Sequence, residues 1–316
     1  MSRQVIQLKH WLALTALFLI AITVVLLWSA HGLGYRNPKD IRRPVNEIVR
    51  LSAAERDAAV VRDSLLCLDL LSKTKPAKAI KYCDLALELD PKNITALNLR
   101  GNVHLSLGEN PRAISDFSRA IELSSHDPEA YRFRAHAYAV QHIDRLAIAD
   151  YDRAVSLAPA DPINVELRGH FYQERMRYAL AIADFTTVIA LRPGLARAWN
   201  SRCWTRMLSG RNLGAALSDC NTAIQLDPVR ANAFDSRGFV LLRMNRFRPA
   251  VASFSEALRR QPKLASSLFG RAIAKLRLHD LTAPKDLAAA KLIEPDIESR
   301  FLRFGIKVPT TGQSGA

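Results

Sequence analysis

Between Ile94 and Ser125 the chain reads ITALNLRGNVHLSLGENPRAISDFSRAIELSS, two amphipathic helical stretches around one break. Within the break, Gly108-Glu109-Asn110-Pro111, Asn110 suits an N-cap and Pro111 the first helical position, where its missing N–H costs nothing. The same spacing recurs on both sides. With Ile94 numbered one, the eighth position down the chain is Cys67, Gly101, Ala135, Gly169, Cys203, Gly238 and Ala272, and all are small. The twentieth is Ala79, Ala113, Ala147, Ala181, Ala216, Ala250 and Ala283. The twenty-seventh is Ala86, Ala120, Ala154, Val188, Ala223, Ala257 and Ala290. The thirty-second is Pro91, Ser125, Pro159, Pro193, Pro228, Pro262 and Pro295, in steps of 34, 34, 34, 35, 34 and 33 residues. Helices that carry small residues at fixed heights approach one another closely there.

Seven units of this period and signature resemble the tetratricopeptide repeat (TPR), over about Val60 to Pro295. The resemblance implies an all-α chain, a right-handed superhelical solenoid of about seven helix-turn-helix repeats at 60–93, 94–127, 128–161, 162–195, 196–230, 231–264 and 265–295. Ser52-Ala53-Ala54-Glu55 reads as a capping box and starts the first helix early, so the solenoid is expected over 52–295. Asp127-Pro128 and Asp161-Pro162 repeat an N-cap with a first-turn proline. The turn from Ser209 to Gly214 absorbs the extra residue of repeat five. After Pro295, residues 296–306 read as a capping helix whose Phe301 and Phe304 would cover the end of the last hairpin, followed by a disordered polar tail at 307–316.

Formal charge is +15 and unevenly spread. Residues 1–50 carry seven Lys/Arg against two Asp/Glu, 51–161 fourteen against sixteen, and 162–316 twenty-four against twelve. The carboxy-terminal half thus holds +12 (24 − 12), which favours an acidic partner surface or an anionic envelope component; a solvated Arg-rich outer face would carry the same charge.

From Trp11 to Ala30, twenty consecutive residues carry no formal charge. At ~1.5 Å per residue they span roughly 30 Å, and Trp11 and Trp28 fall where interfacial rings belong. The pattern is that of an uncleaved signal-anchor helix in inner-membrane lipid, with 1–10 a short tail and 31–51 a basic linker broken by Pro38 and Pro44. A cleaved signal peptide, the other reading, has a shorter apolar region of ~7–15 residues. Arg3 and Lys9 precede the run while Arg36, Lys39, Arg42, Arg43 and Arg50 follow it, which alone places the repeats in the cytoplasm.

The cysteines point the other way. Cys67, Cys83, Cys203 and Cys220 hold the eighth and twenty-fourth positions of repeats one and five, which face each other across a TPR-like hairpin. Elsewhere the twenty-fourth position is large: Phe117, Tyr151, Phe185, Phe254 and Leu287. Cysteine occurs there only opposite cysteine, which implies bridges Cys67–Cys83 and Cys203–Cys220 and an oxidising compartment. Four thiols filling small sites is the other reading. Charge repeats as well. The seventh position is Arg100, Arg134, Arg168, Arg202, Arg237 and Arg271, and the twenty-third is Asp116, Asp150, Asp184, Asp219, Ser253 and Asp286. The first repeat has Leu66 and Tyr82 and lacks both partners. Each Arg is expected to pair with the Asp of its own hairpin, with Arg237 either turning to Glu256 instead or left free for a ligand.

In the TPR family the concave surface is lined by positions two, five, nine, twelve and thirteen of each first helix. The matching residues here include Asn98, Asn102, Arg132, His136, Glu166, His170, Gln173, Asn200, Trp204, Met207, Asp235, Phe239, Arg243, Phe269 and Arg277. Trp204, Met207 and Phe239 are the candidate anchors for a protein or peptide ligand. The Lys/Asn set with which chaperone-binding TPRs clamp a terminal carboxylate is not reproduced. No Cys-x-x-Cys, phosphate-cradling Gly loop, Gly-x-Ser-x-Gly or His-Glu-x-x-His is present, and His136 and His170 share a position without a third ligand. No catalytic residue, metal or cofactor is expected. The resemblance implies a membrane-anchored interaction scaffold in the envelope of a Gram-negative bacterium, on the periplasmic side. A cytoplasm-facing adaptor in envelope biogenesis or quality control is the first alternative. A basic solenoid binding an anionic polymer is the second, with nucleic acid disfavoured because aromatic and basic residues are not interleaved.

Overall fold

The structure is a computed structural model describing residues 51–309; the helix expected from Trp11 to Ala30 and the linker up to residue 50 lie outside the described residues. Among the described residues there are fifteen helices and no strand. They are α1 (Ala53–Ser72), α2 (Pro76–Leu89), α3 (Ile94–Ser106), α4 (Asn110–Leu123), α5 (Pro128–Val140), α6 (Asp144–Leu157), α7 (Pro162–Glu174) and α8 (Tyr178–Leu191). There follow α9 (Ala196–Ser209), α10 (Leu213–Leu226), α11 (Ala231–Arg243), α12 (Phe247–Arg260), α13 (Ala265–Arg277), α14 (Ala283–Ile293) and α15 (Ile297–Leu302).

Helix starts follow the side chains. Ser52 N–H donates to Glu55 Oε2 at 2.9 Å and Glu55 N–H returns to Ser52 Oγ at 3.3 Å, which makes the capping box reciprocal. Asp127 and Asp161 each accept the N–H two residues on, at 2.9 Å. Asn110 does not act as a cap: α4 begins at Asn110 itself, and Glu109 takes the N-cap place without a side-chain cap bond. The turn before it decides this. Gly108 sits at φ +76°, and Glu109 N–H closes back on the His104 carbonyl at 2.8 Å.

That turn recurs. Position fifteen is left-handed in every repeat, as Thr74, Gly108, His142, Met176, Gly210, Asn245 and His279. In six of them the next N–H bonds the carbonyl five residues back, as in Ile143 to Tyr138 at 2.9 Å and Arg177 to Tyr172 at 2.8 Å, the Schellman closure of a helix end. Repeat five is the exception. Its extra residue leaves Gly210 left-handed and adds a second left-handed residue, Asn212, whose side chain caps α10 at Ala215 N–H.

Neighbouring helices pack in chain order, and first helices also meet one another, α3 on α5, α5 on α7, α9 on α11 and α11 on α13. The first helices therefore form the inner wall of the solenoid. The hairpin seam is a matched set of volumes. A Cβ added at Gly101 would lie 2.5 Å from the Phe117 ring, and one at Gly238 would lie 2.5 Å from the Phe254 ring. In repeat seven Ala272 at position eight faces the smaller Leu287, whereas Ala135 of repeat three faces Tyr151. Where both shrink, sulfur fills the gap: Cys67 is bonded to Cys83 and Cys203 to Cys220, with Cα atoms 5.5 and 5.4 Å apart.

The arginine row joins repeats as well as hairpins. Arg100 forks onto Asp116 at 2.9 and 2.7 Å, Arg134 onto Asp150 at 2.7 and 2.9 Å, and Arg168 onto Asp184 at 2.9 and 2.7 Å. Arg202 forks onto Asp219 at 2.9 and 2.7 Å, and Arg271 onto Asp286 at 2.8 and 2.7 Å. The remaining Nη1 of each reaches back to position twenty-five of the preceding repeat: Asp84, Ser118, Asp152, Thr186 and Ser255. Hydrogen bonds donated to these carboxylates hold the guanidinium pKa of Arg100, Arg134 and Arg168 above its ordinary value. Arg237 does not turn to Glu256. Its Nε donates to Ser253 Oγ at 3.1 Å and its Nη1 to Asn221 Oδ1 at 3.3 Å, so it keeps the geometry without the charge. Burial lowers its pKa, and the charge of Glu256 offsets that desolvation only in part.

Candidate functional site

The inner wall has a floor and two rims. Position five forms the floor and is spent on joining repeats. Asn98 Nδ2 donates to Asp127 at 3.0 Å, Arg132 bonds Glu129 and Asn164, and Glu166 accepts from Arg197 at 2.8 Å. Asp235 accepts from Ser266 at 2.9 Å and from Ser267. These four of the position-five residues are buried, so Asn98, Arg132, Glu166 and Asp235 are not the open groove residues the sequence suggested, while Asn200 at the same position is half-buried. Each lies where adjacent first helices touch, and a polar group there must find its partner inside. Burial raises the Asp235 carboxyl to about 6; the two serine hydroxyls and the more distant Arg300 pull the other way.

Positions nine, twelve and thirteen divide the wall in two. Over repeats two to four the surface is open: His136 and Glu174 are exposed, and Asn102, His170 and Gln173 are half-buried. His170 lies edge-on to Phe185 at 5.0 Å, and its burial against that ring lowers its pKa. Gln173 is braced by Thr205 at 2.7 Å. The Oδ1 atoms of Asn98 and Asn200, the same position in repeats two and five, are buried with no donor among the described residues. Apolar side chains also stand on this rim, with Val140 and Ile163 48 % and 45 % exposed.

Over repeats five to seven the wall is covered. Met207, Phe239 and Phe269 are fully buried, so two of the three expected anchors are closed to a ligand in this state. Phe301 and Phe304 do not cap the end of the last hairpin; they turn inward, Phe301 against Phe239 and Phe269, and Phe304 against Trp204. Arg243 is held by two backbone carbonyls, those of Met207 and Phe304. Arg277 remains exposed. Sequence reasoning placed these residues on the right face and missed what lies on them. The signal was present in the aromatic pair three residues apart, Phe301 and Phe304.

Among the described residues no group of three or more His, Cys, Asp or Glu could hold a metal ion. What remains is a curved inner wall with an open polar stretch, which can hold an extended or helical peptide by backbone and side-chain hydrogen bonds.

Such a wall belongs to a helical-repeat solenoid, and the chain has the TPR fold. Residues 98–162 match the family model described as tetratricopeptide repeat. Three solved structures share the fold. A TPR protein from Parabacteroides merdae is 17 % identical, covers 78 % of this chain and 98 % of its own, and superposes with a TM-score of 0.61. The Cut9–Hcn1 hetero-tetramer of the APC/C matches at 16 % identity over 74 % and 46 %, TM-score 0.60. PilW, a type IV pilus biogenesis factor, matches at 18 % over 66 % and 96 %, TM-score 0.59. No curated protein sequence is significantly similar to the chain.

Proposed function

We propose that the chain is an envelope-tethered scaffold that binds a protein or peptide segment along the open inner wall of repeats two to four. One observation carries this: Asn102, His136, His170 and Gln173 stand in a row at positions nine and twelve of α3, α5 and α7, on a surface no other element of the described chain covers. Hydrogen-bonding side chains left in a row on a concave wall suit an extended backbone. The apolar run from Trp11 to Ala30 supports an anchor in the membrane. Among the described residues no helix is long and apolar enough to cross one, so the anchor rests on that run alone. The two bridged cysteine pairs favour an oxidising compartment for the repeats. The basic residues after the run favour the opposite side, and thiol labelling with and without reductant separates the two.

The test is photocrosslinking in the native host from a benzophenone residue placed at His136 or Gln173, against Arg119 on α4 and Ala190 on α8 as outer-helix controls. The same partner is expected from both inner positions and from neither control. Equal capture from the outer helices would remove the groove as the working surface.

A further inference from the structure

The segment after α14 is not seated as a stacked repeat helix. A stacked element touches its neighbour alone, whereas α15 and the residues after it cross three first helices. Phe301 lies between Phe269 of α13 and Phe239 of α11, with ring centroids at 5.1 and 4.7 Å, and is 1 % exposed. Phe304 reaches α9 and meets Trp204 edge-on at 6.4 Å. Ile306 closes the same apolar cluster, while Leu302 and Arg303 face outward. Arg243 reads the segment's backbone through the Phe304 carbonyl and fixes itself to α9 through the Met207 carbonyl at 2.8 Å. No carboxylate among the described residues pairs with it, and burial lowers its pKa. The contacts thus fall on position nine of repeat five, positions nine and thirteen of repeat six and position five of repeat seven, which lie on the inner wall.

From this we infer that the wall of α9, α11 and α13 is a docking site for a partner segment with two aromatic residues three apart, Phe-x-x-Phe, which the chain's own Phe301 and Phe304 occupy in cis. The site is separate from the open stretch of repeats two to four and does not depend on it. Phe304 lies in the turn after α15, where its N–H bonds the Phe301 carbonyl at 3.0 Å, and this i→i+3 turn brings both rings onto the wall together while Leu302 and Arg303 face outward. Exchange between two copies is disfavoured by the hinge: Lys291 pairs with Glu298 at 2.9 Å and Arg300 with Glu294 at 2.6 Å, which tie the start of α15 to its own α14. The segment opens from its far end instead. Tethering gives it an effective concentration of about 1 mM, so a competitor that binds the bare wall at about 10 μM is weakened on the order of 100-fold until the cis segment leaves.

The probe is a fluorescein-labelled peptide of residues 296–309, DIESRFLRFGIKVP, titrated into the full chain and into the full-chain double variant Phe301→Ser/Phe304→Ser. The variant should bind it at least about 30-fold tighter than the unaltered chain, and a peptide with both phenylalanines replaced by serine should bind neither. Phe304→Ala alone, at a half-buried ring whose loss spares the repeat cores, should give about a 10-fold gain, and far-UV circular dichroism reports whether each variant is folded. Equal binding to altered and unaltered chains, or no binding to a folded Phe304→Ala chain, overturns the proposal. So does a dimer formed by segment exchange on size exclusion, because it makes a second copy the occupant.

Discussion

Replacing Gly101 by alanine tests the seam on which the solenoid is built. The added Cβ would meet three Phe117 ring atoms at 2.5, 2.7 and 2.9 Å. The ring has no slack: it is fully buried and packs on Phe133 of the next repeat at 5.6 Å. Overpacking of this kind costs ~1–3 kcal/mol, while alanine regains ~0.5–1 kcal/mol over glycine within a helix. The net loss is therefore about 1–2 kcal/mol. Repeat seven holds the remedy, since its pair is Ala272 with Leu287. Phe117→Leu alone leaves a void and costs ~1–2 kcal/mol, but Gly101→Ala with Phe117→Leu rebuilds the natural alanine–leucine pair. The double variant should be no less stable than either single one, a coupling of about 1 kcal/mol or more in its favour. Guanidinium chloride titrations of the four full-length chains, followed by circular dichroism, measure it. Gly169→Ala is the internal control, because its nearest ring atom would be 3.1 Å away and a small shift relieves the contact, so its cost should be close to zero. Strict additivity of the two substitutions, or equal losses at Gly101 and Gly169, would refute volume matching as the cause of the repeat's small positions.

Asp235 predicts a pH dependence. Its folded pKa is raised, to about 6 from an ordinary 3.8, so its contribution to stability is fully present below about pH 4 and is lost as pH rises through 6. Asp235→Asn keeps an acceptor for the two serines and should raise the melting temperature at pH 8, by at most about 3 kcal/mol of stability, with no gain at pH 4; a destabilised variant at pH 8 would contradict this. Met176 holds a left-handed backbone at φ +57° on an exposed turn, so Met176→Gly should stabilise by about 1 kcal/mol, and a loss in the same titration would show the turn is not strained. Each disulfide closes a loop of sixteen or seventeen residues, and its removal by reductant should lower stability by about 3 kcal/mol, read as a fall in melting temperature; unchanged melting would mean the bridges constrain nothing.

The helical array was legible because its signals are periodic: glycine, alanine and proline at fixed offsets tell where helices touch and where they end. Four features were less so. The Schellman turns use Thr74 and Met176 at the left-handed position, residues whose side chains carry no turn signal, so geometry imposed by the repeat overrides local preference there. The inter-repeat reach of each arginine had a trace in the polar residues Asp84, Ser118, Asp152, Thr186, Asn221 and Ser255, but short polar groups on a helix are ordinary and their meaning needs the third dimension. In the groove, position alone placed residues on the inner wall but not their burial. Asn98 and Asp235 share a position with Asn200, yet only the touching of adjacent helices decides which polar group is consumed and which stays within reach of a ligand. The occupation of repeats five to seven by Phe301 and Phe304 is a long-range contact between segments that periodicity does not connect.

The open wall of repeats two to four is tested most directly by backbone hydrogen exchange on the full chain alone and with the partner captured by crosslinking. Slowed exchange confined to α3, α5 and α7 is the predicted result. Protection falling on α4, α6 and α8, with the inner helices unchanged, would contradict it.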